Sequence, residues 1–388
     1  MSRYWTSQGI APLRALCALT LSAASQIHGQ RSLTPRLIRQ LGSIQLPMSV
    51  VIGQGDFAYS LDQRASTLFR YGSSGAVHAT KLDTESLDLT SARISAAGAI
   101  GDTLWFWDAA RTRLLKLPLG SVKVVEEVIH LPHPVFEGAF FGVKSIRHDG
   151  SLVVEEFGTA VALGSLSVVG RRLLHISRSG RVLDTIATLR ERDAFVQLQA
   201  RDGRLVTARQ PWAARDMFAC SPDGLAEALV RQENAASAAE QGVFSLALTL
   251  PFQAGTMQRI VPYVPLQFAD STWQRFAERL AHSRFGEAFS TVGAATKAIG
   301  EQLFRPETVS PVSAVLVASS GEVWIQRADI AGGEKWQIFE PRDSLVREVS
   351  LPLTVHPVAV SNRRLWVVKR LDARQALLSL YMLGESAP

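Results

Sequence analysis

Residues 318–352 read as three short strands joined by tight turns, and this unit constrains the fold more than any other feature of the chain. Ser319, Ser320 and Gly321 make a turn before the alternating run Glu322-Val323-Trp324-Ile325-Gln326. A polar hairpin carrying Gly332 and Gly333 leads to Lys335-Trp336-Gln337-Ile338-Phe339, and a second polar turn leads to Leu345-Val346-Arg347-Glu348-Val349. Side chains alternate across a strand, so the unit carries an apolar face that a lone meander cannot bury. It must stack on copies of itself.

The copies are present. Asp56 precedes Phe57-Ala58-Tyr59-Ser60, and Gly101-Asp102 precedes Thr103-Leu104-Trp105-Phe106-Trp107. Asp149-Gly150 precedes Ser151-Leu152-Val153-Val154, and Asp202-Gly203 precedes Arg204-Leu205-Val206-Thr207-Ala208. A last, partial copy begins at Arg363 with Arg364-Leu365-Trp366-Val367-Val368. Asp and Gly supply the self-capped or positive-φ backbone that such turns require. Short strands at this spacing point to an all-β array rather than βαβ units. The apolar series Leu37, Ile38, Leu41, Ile44 and Leu46 is a spare N-terminal strand, expected to complete the partial last copy and close the ring.

One segment, 271–304, breaks the pattern with a helical period. Trp273, Phe276, Ala277, Leu280 and Ala281 share one face, and Ser271 with Gln274 reads as a capping box. A second stretch carries Ala288, Phe289, Val292, Ala295, Ile299 and Leu303 and stops before Pro306. Two helices inserted between blades follow, with their apolar faces expected against the propeller. The alternative is a partner- or membrane-facing hairpin, given Arg275, Arg279, Arg284 and Lys297. Without this insert, roughly 310 residues at about 40–50 per blade give six or seven blades. Strand triplets starting near Asp56, Gly101, Asp149, Asp202, Gly321 and Arg363 set the expectation at six.

Residues 1–30 read as a secretory signal peptide: Arg3 and Arg14, then small and apolar residues from Ala15 to Ala24. The expectation is a periplasmic or secreted protein whose residues 31–388 form a single propeller domain. The net charge is +6 over 388 residues, and losing Arg3 and Arg14 leaves +4. With Arg and Glu interleaved there is no basic stripe, which excludes a nucleic-acid reader. Cys17 leaves with the signal and Cys220 stays alone in an apolar run, so the fold must hold by burial rather than by disulfides.

The turn-and-strand openings at Gly101-Asp102, Asp149-Gly150, Asp202-Gly203 and Ser320-Gly321, with the C-terminal Trp324 and Trp336 strands, carry a resemblance. In them the chain resembles exported bacterial six-bladed β-propellers of the NHL/TolB-like superfamily, over about residues 45–383. It departs from WD40 propellers, since Trp107-Asp108 stands alone. The resemblance implies a fold and no particular chemistry.

No catalytic motif is written in the sequence. There is no Gly-Xaa-Ser-Xaa-Gly elbow, phosphate loop or dinucleotide fingerprint. No cofactor or metal site is read either; the residues nearest to a calcium-type site on the ring axis are Glu155, Glu156, Asp202 and Asn362. Glu155 and Glu156 are neighbours on one strand, so only one is expected to face the axis. The leading expectation is a binding or scaffold module for a protein, peptide or glycan. The alternative is a metal-dependent hydrolase or lactonase working in the central channel.

Overall fold

The computed structural model describes residues 31–385 apart from 46–48, 55–56, 85–86, 133–139, 158–170, 191–194, 200–202, 204, 210–213, 234, 236–238, 251–254, 283–288, 303–304, 329–333, 342–345, 353–354, 362 and 372–374. Residues 1–30, read above as a signal peptide, lie outside the described residues.

After β1 (Arg31–Gln45), the chain forms one antiparallel meander after another. β2 (Ser49–Gln54), β3 (Phe57–Asp62), β4 (Thr67–Gly72) and β5 (Val77–Lys81) pair in sequence order. So do β6 (Ile94–Ile100), β7 (Thr103–Asp108), β8 (Arg113–Pro118) and β9 (Val125–Val128). β10 (Phe140–Ile146), β11 (Leu152–Phe157), β12 (Arg171–Ile176) and β13 (Val182–Leu189) make the next sheet. A two-stranded hairpin, β14 (Phe195–Gln199) and β15 (Leu205–Arg209), intervenes. Then come β16 (Met217–Cys220), β17 (Glu227–Arg231), β18 (Gly242–Thr249) and β19 (Thr256–Tyr263). The helices α1 (Asp270–Ala281) and α2 (Val292–Gln302) follow.

The final sheet has eight strands. It joins β20 (Val312–Val317), β21 (Val323–Arg327), β22 (Glu334–Phe339) and β23 (Val346–Leu351) to β24 (Val355–Ser361), β25 (Arg364–Arg370) and β26 (Gln375–Glu385) through β1. β1 runs antiparallel to β26 from Leu33↔Glu385 to Gln45↔Gln375. Its first residues also pair in parallel with β23, Arg31↔Arg347 to Leu33↔Val349. The spare N-terminal strand therefore completes the last meander, as its apolar series predicts, and also ties that meander to the one before.

The first strands of the meanders lie side by side in a cycle: β2 beside β6, β6 beside β10, β10 beside β16, β16 beside β20, β20 beside β24, and β24 beside β2. Twisted antiparallel meanders arranged radially in a closed cycle make a β-propeller. The core lies between sheets. Tyr59, Leu61 and Leu68 pack on Leu104, Phe106 and Leu115 of the following sheet. Trp105 and Trp107 pack on Val143 and Leu152, and Phe244 and Leu246 on Val323 and Ile325. Trp324 and Trp336 meet Leu365 and Val367, and Trp366 and Leu378 meet Ala58 and Tyr71, returning to the first sheet.

The turn-opened triplets are real strands, but each opens on the second strand of its sheet. The turns at Gly101, Gly150 and Gly321 have φ of +53°, +80° and +85° and lead into β7, β11 and β21. Sequence alternation misses the first strand β6, whose residues are small. In Ile94-Ser95-Ala96-Ala97-Gly98-Ala99-Ile100, a Cβ on Gly98 would lie 2.5 Å from the Pro222 carbonyl oxygen and 2.5 Å from the Trp105 ring. That carbonyl accepts the Ala99 N–H at 2.8 Å, so the β16–β17 turn reaches past β10 to the end of β6. At this contact no residue larger than glycine fits without a shift.

The opening at Asp202-Gly203 belongs elsewhere: Gly203, at φ +80°, sits in the hairpin β14–β15, and the second strand of the neighbouring sheet is β17, after Gly224. The helical segment forms as expected, with a different start. The N-cap of α1 is Ala269 with no side-chain cap, and Gln274 bonds Glu278 instead of closing a capping box. The apolar faces bury chiefly each other, Ala277 and Ala281 against Ala295 and Ile299, with Trp273, Phe276, Leu280 and Phe289 around them.

Candidate functional site

Within an antiparallel meander, the first-to-second and third-to-fourth turns leave from one end, and the others from the opposite end. The hairpin β14–β15 lies between the outer strand β13 and the inner strand β16, and the helices between the outer strand β19 and the inner strand β20. Both insertions occupy the same kind of connection, which places them at the same end of the ring, and α2 touches β14.

Each insertion leaves and returns through a paired neck. Around the helices, the Phe268 N–H donates to the Glu307 carbonyl and the Val309 N–H to that of Leu266, both at 2.9 Å, and Asp270 pairs with Arg305. Around the hairpin, the Asp216 N–H donates to the Arg190 carbonyl at 2.9 Å, and the Arg190 N–H donates to Asp216 Oδ2 at 3.0 Å.

One buried side chain joins the two necks. Gln232 Nε2 donates to the carbonyls of Arg215 and Val312, each at 3.0 Å, while Oε1 accepts the Val312 N–H and the Ser310 hydroxyl, each at 2.9 Å. The Thr308 hydroxyl adds a bond to the Ala235 carbonyl at 2.7 Å. A buried amide with its donors and acceptor engaged fixes geometry, because each lost partner leaves a polar group stranded. Sequence reasoning missed Gln232; its partners Ser310 and Val312 stand 78 and 80 residues away, and only its place in an apolar run (Leu229-Val230-Arg231-Gln232) could have singled it out.

Beneath the hairpin neck lies a belt of charge. Glu155, buried in β11, holds Arg171 through Oε1 at 2.5 Å and Lys144 through Oε2 at 2.6 Å. Glu156, equally buried on the other face of the strand, holds Arg172 at 2.5 Å. Arg171 also donates to the Asp216 carbonyl at 3.1 Å, and Asp216 Oδ2 takes Arg231 at 2.8 Å. Arg190, half-exposed, reaches Glu233 at 2.9 Å. Five cations thus meet four carboxylates. Where the carboxylate is buried, as at Glu155, Glu156 and Asp216, such pairs add little net stability, since desolvation offsets attraction, but losing the cation is costly.

Glu155 and Glu156 are the described members of the residues read as nearest to a calcium-type site. Both carboxylates are buried and already neutralised by guanidinium or ammonium groups, so a cation would have to displace them; they do not fit a divalent-cation site. Asp202 and Asn362 lie outside the described residues. Among the described residues no three His, Cys, Asp or Glu side chains converge as a metal site would require.

A serine–histidine contact lies at the other end of the ring. Ser151 Oγ is 2.6 Å from His175 Nε2, and it donates to Asp149 Oδ1, also at 2.6 Å. With its only proton committed to Asp149, the hydroxyl accepts from the histidine, so the trio caps a turn rather than activating a nucleophile. Burial and nearby Arg147 push the His175 pKa down, which keeps the ring neutral and consistent with that role. Cys220 is free, and burial with Glu227 beside it pushes its thiol up, away from nucleophilic use. The tryptophans 105, 107, 324, 336 and 366 are all buried between sheets, so none of them forms a sugar-binding rim.

No family model matches the chain, and no curated protein matches it. Among solved structures it is similar to virginiamycin B lyase from Staphylococcus aureus, at 10% identity and a TM-score of 0.37, over 88% of this chain and 98% of that one. It is similar to the calcium-binding protein regucalcin from Agrobacterium tumefaciens, at 12% identity and a TM-score of 0.39, over 93% and 99%. It is also similar to YCF48 bound to D1 peptide, at 11% identity and a TM-score of 0.36, over 91% and 99%. These are β-propeller proteins. Such distant likeness carries nothing about ligand or activity, and the ring rests on the strand pairing above.

Proposed function

We propose that this is an exported six-bladed β-propeller of the NHL/TolB-like kind that binds a protein, peptide or glycan at the end of the ring carrying the two insertions, without catalysis. The six-blade count is supported by the cycle of inner strands β2, β6, β10, β16, β20 and β24, with β14–β15 as an addition to the ring rather than a blade. Export, to the periplasm or beyond, is supported by the charge and apolar pattern of residues 1–30.

The observation that carries the binding reading is the tie through Gln232. A rigid scaffold that fixes two insertions to one another at one end presents a defined surface, and recognition is commonly borne on such additions to a stable frame. The hydrolase reading finds no support in Glu155 and Glu156, which are held by cations. Membrane contact through the helices has less in its favour, since their apolar faces are turned on each other.

The test is a pair of peptide and glycan arrays, probed with the mature chain and with a chain in which residues 270–302 are replaced by a short Gly-Ser linker. The paired neck holds the linker's ends close, so the ring is expected to keep its melting temperature. A ligand bound by the intact chain should bind at least about tenfold more weakly to the shortened one. Equal binding by both would place recognition away from the helices and overturn the proposal.

A further inference from the structure

Between the sheet β6–β9 and the sheet β10–β13 lies a cleft of about 180 Å³, away from the insertions. Its walls are the buried side chains of Trp105, Leu114, Ile129, Ile146 and Leu152. Polar groups stand where the cleft meets solvent: Lys116, Glu127 and the exposed Arg178. For scale, an apolar cavity of about 150 Å³ holds a benzene ring.

Two features make this more than a packing gap. The first is the seating of Arg178. Gly150, at φ +80°, leaves the space its side chain would fill, and a Cβ there would lie 2.4 Å from Arg178 Nη2. The guanidinium occupies that space and donates from Nε to the Gly150 carbonyl at 3.0 Å. No further bond of Arg178 occurs among the described residues. Lys116 and Glu127 pair with each other, so the mouth carries one uncompensated positive charge. The second is Trp105, whose buried Nε1–H has no acceptor among the described residues. The other interior tryptophans share that trait, but of these five Trp105 is the one that borders the cleft. Buried indole N–H groups ordinarily find a partner.

We propose that this cleft binds a small aromatic or branched-aliphatic carboxylate. The hydrocarbon part occupies the space between Trp105, Leu114, Ile129 and Leu152, and the carboxylate meets Arg178 at the mouth. Guanidinium groups suit carboxylates because two N–H groups match two oxygens. The charge at the mouth selects the acid over a neutral molecule of the same shape.

The probes are 4-fluorobenzoate and 4-fluorobenzyl alcohol, followed by fluorine NMR and calorimetry on the intact mature protein. The benzoate should bind at one site and more tightly than the alcohol. Arg178→Gln, an exposed position, should weaken the benzoate about tenfold and leave the alcohol unchanged. Ile100→Trp, which places a large ring at a half-buried position on the lining, should abolish both. If Ile100→Trp does not fold, the Arg178→Gln comparison decides alone. Absence of benzoate binding, equal affinity of acid and alcohol, or benzoate binding unaffected by Arg178→Gln would each overturn the proposal.

Discussion

A chain lacking residues 31–45 is expected to lose cooperative folding altogether. β1 is the outer strand of the last meander, paired with β26 from Leu33↔Glu385 to Gln45↔Gln375, and its first three residues also pair with β23. Its removal frees two sheet edges at once, and exposed edges recruit other chains. It also removes Leu33 from the core containing Trp324 and Leu365, and Leu41 from the core containing Trp366 and Leu378. Each buried leucine contributes on the order of 2–5 kcal/mol. Together with the lost ladder, that approaches the roughly 5–15 kcal/mol by which a folded domain is stable. Far-UV circular dichroism on heating, with gel filtration, should show aggregation or a broad, non-cooperative melt. A synthetic peptide of residues 31–45 added during refolding should restore the sharp transition. A single transition at the parent temperature in the truncated chain would mean that β1 does not close the ring.

The second large effect is Trp324→Ala. Trp324 has no solvent exposure and sits in β21 opposite Leu316 and Ile338, packed across to the sheet that β1 completes. Truncating a large buried aromatic removes its transfer free energy and leaves a cavity, a loss of about 3–5 kcal/mol. Trp324→Phe should lose much less, because the indole Nε1–H has no hydrogen-bond partner among the described residues. Equilibrium urea unfolding of the three proteins reads both values. An unchanged midpoint for Trp324→Ala would remove this residue from the core.

Much of the ring was legible in the sequence because turn chemistry is local. Gly101, Gly150, Gly203 and Gly321 all have positive φ and all precede strands. Locality is also the reason for the errors. An Asp-Gly turn says that a strand follows, not which sheet it joins, so Gly203 read as the start of a blade while the chain uses it in the hairpin β14–β15. The inner strand β6 escaped because its small residues, packed closely around Gly98, show no alternation. The helices were read from their period, but a capping box at Ser271 and Gln274 is a sequence pattern that Ala269, one residue before α1, replaces in fact.

The site was far less legible. Glu155 and Glu156 stood out as carboxylates, but their role depends on Lys144, Arg171 and Arg172, brought to them by strand pairing. Asp216 meets Arg190 and Arg231, which lie 26 and 15 residues away. The bonds of Gln232 to Ser310 and Val312 span 78 and 80 residues. No periodicity records such long-range pairs, so the feature that organises the candidate face emerges only once the sheets are assembled.

The central proposal is that the ring presents a binding surface and does not work as a metal-dependent hydrolase. The most direct test is elemental analysis of the purified mature protein, with melting temperature and esterase and lactonase assays before and after exhaustive chelation. The account predicts no stoichiometric calcium or zinc, an unchanged melting temperature in chelator, and no hydrolysis above background under either condition. Stoichiometric metal whose removal abolishes a lactonase or esterase activity would contradict it.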